Sequence, residues 1–236
     1  MRYFAFVFLL ILSSFAVGQK PAAKAAPKKI PAAVPVAETT PAPVVTGADG
    51  EVSSKTYTNS VYGFRITFPD TWLIAGSDFE SNLRSQGFDI SLKAPENLNG
   101  ASKIQLERSL ERVKVLVTGY RSIPGANDSA IIRVAVEDLT MTPQVKDAVD
   151  YFDLMRSQFA VMKLPADFKY SETKAEKLGA KQFAFLDTSS SAGKKRMYAT
   201  VRNGHAVMFT LSYTKAEDLA TMRHILAGGN FRLQNK

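Results

Sequence analysis

Cysteine is absent from all 236 residues of the chain. That rules out thiol catalysis, zinc–thiolate centres, disulfide staples and a lipid anchor on an N-terminal cysteine. Histidine is scarce too: only His205 and His224 occur, without the His-Glu-x-x-His spacing of a metal site. No serine stands in a Gly-x-Ser-x-Gly frame, the signature of a nucleophile elbow. Gly193-Lys194-Lys195 is similar to the end of a phosphate loop, but Thr188 stands where the first glycine is needed and Lys195 where a Ser or Thr would hold magnesium. The N-terminal apolar run is shorter than the ~20 residues that span a bilayer. From these absences no metal and no cofactor is expected, and the chain is read as a binding module, not an enzyme.

What is present begins with an address. Arg2 leads into Tyr3-Phe4-Ala5-Phe6-Val7-Phe8-Leu9-Leu10-Ile11-Leu12, and the run ends in Ser13-Ser14-Phe15-Ala16-Val17-Gly18. A charged start, a short apolar stretch and small residues at its end describe a secretory signal peptide over residues 1–18, cleaved after Ala16 or Gly18. If retained, the same run is an N-terminal anchor, with the rest of the chain on the same side of the membrane. Residues 19–52 repeat Pro, Ala and Lys; proline fixes φ and removes backbone donors, so this stretch is expected to be a disordered, semi-extended linker. Residues 53–236 form the expected single domain, a length that buries about 70% of the unfolded chain's surface without staples. An exported, periplasmic or secreted protein is expected, with no transmembrane segment once the signal is removed.

Charge points the same way. Of the formal net charge of +8, Arg2 supplies one and Gln19–Glu51, with four lysines against three acids, supplies one more, leaving +6 on the domain. A field of that sign favours anionic partners such as phospholipid head groups, with peripheral membrane association, or acidic wall polymers. Given export, nucleic acid is not expected.

Within the domain, Tyr62, Phe64, Ile66 and Phe68 alternate with polar neighbours and predict a half-buried strand stopped by Pro69, followed by a short strand at Trp72-Leu73-Ile74 with Trp72 filling the core. Ser77 and Glu80 form a capping-box pattern for a short helix closed at Gly87, and Phe88–Leu92 alternates again. The charged stretch Ser102–Leu110 stays open. Arg112–Tyr120 and Ala130–Val136 are β-branched runs around Pro124–Asp128, a long-loop hairpin. A helix is expected from Thr142-Pro143 to Val161, with Val145, Ala148, Val149, Phe152, Met155, Phe159 and Met162 on its buried stripe; a second is expected from Thr214, boxed by Glu217, to Gly228-Gly229. About three strands are expected between the helices, with Ser189–Gly193 as a loop. Asn203-Gly204 marks a type I′ hairpin turn. Taking Arg202 opposite His205 places Tyr198 against Phe209, Thr200 against Val207 and Ala199 against Met208. Both faces of that ribbon are then apolar and both need covering. The expected fold class is α+β: a central, mostly antiparallel sheet with helices on both faces, an α/β/α sandwich.

Tyr62-Gly63-Phe64-Arg65-Ile66-Thr67-Phe68-Pro69-Asp70-Thr71-Trp72 resembles the opening of the PsbP and Mog superfamily, in which a Gly-Phe strand is followed by Pro and Trp. Lys194–Thr200, Arg202-Asn203-Gly204, Phe209–Tyr213 and the helix running on to Phe231 resemble the end of the same fold. This PsbP/Mog-like resemblance implies an α/β/α sandwich serving as a non-enzymatic accessory. PsbP-like proteins assist assembly of a membrane complex from the lumen, and Mog-like proteins bind a small GTPase. No partner-binding residue is carried over.

The candidate anion- or partner-binding residues are Lys194, Lys195, Arg196 and Arg202, all on one hairpin, with Lys163, Lys169, Lys174, Lys177 and Lys181 near in sequence. They form either an anion-binding surface or dispersed solubilising charge. Alternation sends Arg196 to one face and Lys195 to the other. Asp147, Asp150 and Asp153 step along a helix and read as a solvated face, and Glu137-Asp138 as surface. The function these features indicate is an exported, non-catalytic binding or assembly-accessory module acting at the cell envelope on a protein or anionic partner. A hydrolase with a dispersed Asp, Glu, Ser and Tyr site, and a structural or oligomerising protein without an external ligand, are the alternatives.

Overall fold

The computed structural model of the protein describes residues 50–75, 112–122, 130–162, 164, 166–191 and 193–231. Strands β1 (Glu51–Ser53), β2 (Thr56–Asn59) and β3 (Phe64–Thr67) form a small antiparallel sheet. The larger sheet runs β4 (Leu73–Ala75), β5 (Val113–Tyr120), β6 (Ile131–Asp138), β11 (His205–Tyr213), β10 (Gly193–Arg202), β9 (Lys181–Ser190) and β7 (Lys169–Tyr170), with β8 (Lys174–Leu178) also paired to β9. All of its pairings are antiparallel. The helices among the described residues are α1 (Ala148–Val161) and α2 (Ala216–Ala227).

At the centre lies the β10–β11 hairpin. Asn203 and Gly204 take φ of 51° and 72°, and Arg202 opposes His205, Tyr198 opposes Phe209 and Ala199 opposes Met208, the register expected from the Asn-Gly turn. Because side chains alternate across a strand, the same strands feed two separate apolar clusters. Ala184, Leu186, Met197, Ala199, Ala206 and Met208 pack with Tyr151, Phe152, Met155 and Phe159 of α1. Phe183, Phe185, Tyr198, Val207, Phe209 and Leu211 pack with Met222, Ile225 and Leu226 of α2. Tyr57, Phe64 and Ile66 of the small sheet join this second cluster. Each fully buried Val, Leu, Ile, Phe or Met side chain among them stabilises by about 1.5–3 kcal/mol. The architecture is therefore sheet-rich and mostly antiparallel; in place of the expected helical layers over both faces there are two helices among the described residues. One helix joins each cluster, and the small sheet does much of the covering beside α2.

Both helices start later than their sequence patterns suggest. Asp147, in an extended conformation, caps α1 by accepting from the amides of Val149 at 2.8 Å and Asp150 at 3.0 Å. A carboxylate that satisfies two orphan donors outcompetes the Thr142-Pro143 start; Thr142 is instead held in a turn, its hydroxyl donating to the Leu139 carbonyl at 3.1 Å. Helix α2 opens after Lys215 with no side-chain cap, so the Thr214–Glu217 box does not form; Glu217 and Asp218 complement the helix dipole instead.

Between the helices lie five strands, not three. The extra ones, β7 and β8, both line the edge of β9, from Lys169 opposite Ser189 to Leu178 opposite Lys181. Ser189 and Ser190, read as loop, belong to β9. The expected β3 and β4 are present, and β5 pairs with β6 as expected. Trp72 is buried beside Phe68, with ring centroids 6.1 Å apart. The helix expected at Ser77–Gly87, the strand at Phe88–Leu92, the stretch Ser102–Leu110, the signal peptide and most of the linker lie outside the described residues.

The small sheet is fixed to the end of the chain. The Arg65 amide donates to the Asn230 carbonyl at 2.7 Å and the Asn230 amide returns a bond to the Arg65 carbonyl at 2.8 Å. This bridge ties β3, whose Phe64 packs on Phe209 of the central hairpin, to the segment after α2. Close packing on the far side comes from Gly119 in β5, where any Cβ would drive into the Phe68 ring. Gly119→Ala is therefore expected to lower stability by about 1–3 kcal/mol through overpacking. Gly204→Ala, whose added Cβ meets nothing within 4 Å, should cost only the left-handed backbone strain, about 1 kcal/mol. Thermal or urea unfolding of the two variants checks the order.

Candidate functional site

The turn from Val61 to Gly63 brings the small sheet against the end of the central hairpin. Asn59, fully buried, holds that turn: its Oδ1 accepts from the Tyr62 amide at 3.0 Å and its Nδ2 donates to the Tyr57 hydroxyl at 2.9 Å. Gly63 reverses the chain at φ 67°, a conformation that L side chains rarely adopt. The Gly63 carbonyl accepts from Arg202 Nη1 at 3.3 Å, with the Tyr62 carbonyl at 3.5 Å. His205 sets its ring edge against Tyr62, centroids 5.4 Å apart, and its Nδ1 lies 2.8 Å from the Asn203 carbonyl.

Between these elements lies a cleft of about 210 Å³. Lys181 and Arg202 line it; alternation puts Lys181 on the face of Phe183 and Arg202 on the face of Tyr198, so the two cations rise from neighbouring strands on the same side of the sheet. Thr200 adds a hydroxyl. Phe64, Phe209 and Phe231 supply the aromatic wall, with Phe64–Phe209 and Phe209–Phe231 centroids 5.3 and 5.5 Å apart in edge-on contact. Among the described residues that line it there is no carboxylate.

The four candidate residues of the hairpin go to four environments. Lys194 is exposed at the start of β10. Lys195 is buried at 5% exposure on the α1 face; burial, with Arg133 nearby, pushes its ammonium down to about 7. Arg196 turns to the other face, donating to Asp187 through Nε at 2.7 Å and Nη2 at 2.8 Å, with its guanidinium 4.3 Å from the Phe185 ring centroid. Arg202 lines the cleft. Of the lysines near in sequence, Lys169, Lys174 and Lys177 are exposed on the edge strands, Lys181 lines the cleft, and Lys163 lies outside the described residues.

Two polar networks escaped the sequence reading. Glu176 of β8 accepts from the Tyr198 hydroxyl at 2.5 Å, from Arg196 at 3.3 Å and from Arg223 of α2. Burial, then the bond to Glu176, raises the Tyr198 phenol to about 12. No period-two apolar pattern in Lys174-Ala175-Glu176-Lys177-Leu178 marked Glu176 in the sequence. Glu137, expected at the surface, is instead 1% exposed, because β6 lies inside the sheet with α1 across it. Tyr151 of α1 donates to its Oε2 at 2.8 Å and Arg112 lies 4.0 Å away. Burial raises its carboxyl to about 7.

The three aspartates of α1 are exposed, as a solvated face requires: Asp147 caps, Asp150 accepts from the Lys146 amide at 2.9 Å and Asp153 accepts from the Thr173 hydroxyl at 2.7 Å. Among the described residues no three His, Cys, Asp or Glu side chains gather as a metal site.

No family model and no curated protein matches the sequence. The structure is similar to the solution structure of cyanobacterial PsbP from Synechocystis sp. PCC 6803, at 12% identity and a TM-score of 0.41, covering 78% of this chain and 95% of that one.

The buried titratable groups make stability depend on pH in opposite senses. With its carboxyl raised from 4.5 to about 7, folded Glu137 keeps a proton that the unfolded chain releases, so stability falls as pH rises between those values. The loss is at most about 3 kcal/mol, at about 1.36 kcal/mol per tenfold change in proton affinity. Lys195, lowered from 10.5 to about 7, acts the other way and adds stability as pH climbs above 7. Glu137→Gln, which keeps an acceptor for Tyr151, should flatten the acid limb and leave the alkaline one; urea unfolding from pH 4 to 10 reads both. Arg196→Gln should cost about 2 kcal/mol, below the about 3–5 of a fully buried pair, because Asp187 is 32% exposed.

Proposed function

We propose that the protein is an exported, non-catalytic binding or assembly-accessory module that acts at the cell envelope on a protein or anionic partner. The observation that carries this reading is the cleft at the hairpin end. Lys181 and Arg202 stand in it beside aromatic walls and a hydroxyl, and its described lining residues include no carboxylate. Such a lining suits an anion and lacks the paired carboxylates of a dispersed hydrolytic site. Glu137, the carboxyl raised to about 7, lies beneath Tyr151 on the opposite face of the sheet.

Other features support the same reading. The net charge of +6 beyond the linker raises the local concentration of anions. The signal-peptide pattern of residues 1–18 and the Pro/Ala/Lys composition of residues 19–52 suit a domain held at a distance from the membrane or wall. No helix among the described residues is long and apolar enough to cross a membrane.

The exported protein is expected to be retained on at least one of phosphatidylglycerol vesicles, anionic wall polymer and solubilised envelope extract. Retention should weaken several-fold between low and high salt, because exposed charges are screened within about 10 Å at 0.1 M ionic strength. Retention on none of the three at low salt overturns the proposal.

A further inference from the structure

We infer that the end of the sheet opposite the cleft, where the last turn of α1, β7 and the start of β10 meet, docks on an anionic lipid bilayer. The inference rests on the envelope role proposed above; it names the partner and a surface separate from the cleft.

Three contacts gather this tip. Phe159, in the last turn of α1, sets its ring against Phe168 and Tyr170 with centroids 5.5 and 5.2 Å apart, so the helix ends beside β7. Lys169 and Tyr170 of β7 pair with Ser189 and Thr188 of β9. The Asp167 carboxylate accepts from the Ser191 amide at 2.5 Å and ties the segment before β7 to the end of β9.

The strand register places the charge. Lys169 lies opposite Ser189, and Ser189 opposite Lys194. Two lysines therefore stand on the same face of the sheet with one strand between them, roughly 10 Å apart at Cα. Both are exposed. Facing the same way, they meet a surface of anionic head groups together, and each lysine near such a surface raises affinity roughly fivefold. The neighbouring acids are already engaged: Asp167 by the Ser191 amide, Glu172 by Arg156 at 3.9 Å, and Asp187 by Arg196 at 2.7 and 2.8 Å.

The apolar part is Val161, the final residue of α1, with Tyr170 close to it through Phe159. Val161 is 82% exposed, more than any other exposed large hydrophobic residue among those described, and Tyr170 is exposed as well. At a bilayer interface a valine and the body of a tyrosine ring leave water, while lysines lay their stems along the apolar zone and keep their ammonium groups at the head groups. A bilayer takes projecting apolar side chains without shape complementarity, whereas a protein partner binds tightly through anchors seated in pockets.

Docking at this tip leaves the cleft at the far end of the central hairpin. Strand β10 spans ten residues from Gly193 to Arg202, which at about 3.3 Å per residue holds the cleft roughly 30 Å from the lipid. Met141 is 67% exposed beside that far end, where the Leu139 amide donates to the Gly204 carbonyl, and it serves as an internal control.

The test is co-sedimentation of the exported protein with phosphatidylglycerol or phosphatidylcholine vesicles, together with fluorescence quenching by brominated acyl chains. Phosphatidylglycerol vesicles are expected to bind at least tenfold more tightly than phosphatidylcholine vesicles at low salt. Lys169→Gln combined with Lys194→Gln should weaken that binding tenfold or more and leave urea unfolding unchanged, because both positions are exposed. Against the constant signal of buried Trp72, brominated phosphatidylglycerol should quench the added fluorescence of Val161→Trp and spare that of Met141→Trp. Equal binding to the two lipids, binding indifferent to the two lysines, quenching of Met141→Trp without Val161→Trp, or quenching of neither overturns the inference. Should wall polymer or envelope extract retain the protein while phosphatidylglycerol vesicles do not, the lipid surface falls and the binding role stands; retention on none removes both.

Discussion

Tyr198 and Phe209 face one side of the central ribbon, and Ala199 and Met208 face the other, across an Asn-Gly turn that permits a single register. A ribbon apolar on both faces is unstable in water until both are covered, and this requirement organises the remaining chain. Helix α1 meets it on one side with Tyr151, Phe152, Met155 and Phe159. On the other side α2 contributes Met222, Ile225 and Leu226, and the β1–β3 sheet joins it with Tyr57, Phe64 and Ile66. A one-residue slip would exchange the two faces and mismatch both covers, so the turn and the covers reinforce each other.

The cleft is a product of this divided cover. A single long helix lying across the ribbon would close its end. Two elements that meet there, one bridged through Arg65 and Asn230 and the other ending at Gly228, leave a gap whose walls are the outermost side chains of the core. The rings of Phe209 and Phe231 therefore belong both to the apolar cluster and to the cleft, and the cations stand where the apolar cover runs out. Stability and the cleft arise from the same packing problem.

Charge is distributed with the same logic. Where a cation or acid falls inside the covered area, partners surround it: Arg196 has Asp187 and Glu176, and Glu137 has Tyr151 and Arg112. These networks keep buried charge tolerable, since an ion desolvated without a partner costs several kcal/mol. They also remove from consideration groups that look available in the sequence. Arg196 and Lys195 are adjacent along the chain, yet one lies in the α2-side network and the other is buried against the α1-side cluster.

Local features written into contiguous residues were legible: the β10–β11 register from Asn203-Gly204, the strand at Phe64–Thr67 from its alternation, and the buried stripe of α1 at Phe152, Met155 and Phe159 from its three- and four-residue spacing, though Val149, expected on it, is exposed. Helix starts were less so, because Asp147 as a cap competes with Thr142 on equal local terms. The charged strand β8 carried too little apolar signal to be seen, and with it Glu176 stayed hidden. The candidate cleft was half legible: Arg202 stood out as basic, but Lys181 lies on another strand and Gly63 on another sheet. Alternation and turn chemistry act over a few residues, so the sequence by itself determined which faces are apolar and where the chain reverses. Which charge is neutralised and which lines a cleft depends on side chains brought together from separate strands and helices, from 9 positions apart for Arg196 and Asp187 to 139 for Arg202 and Gly63, and only the tertiary structure decided that.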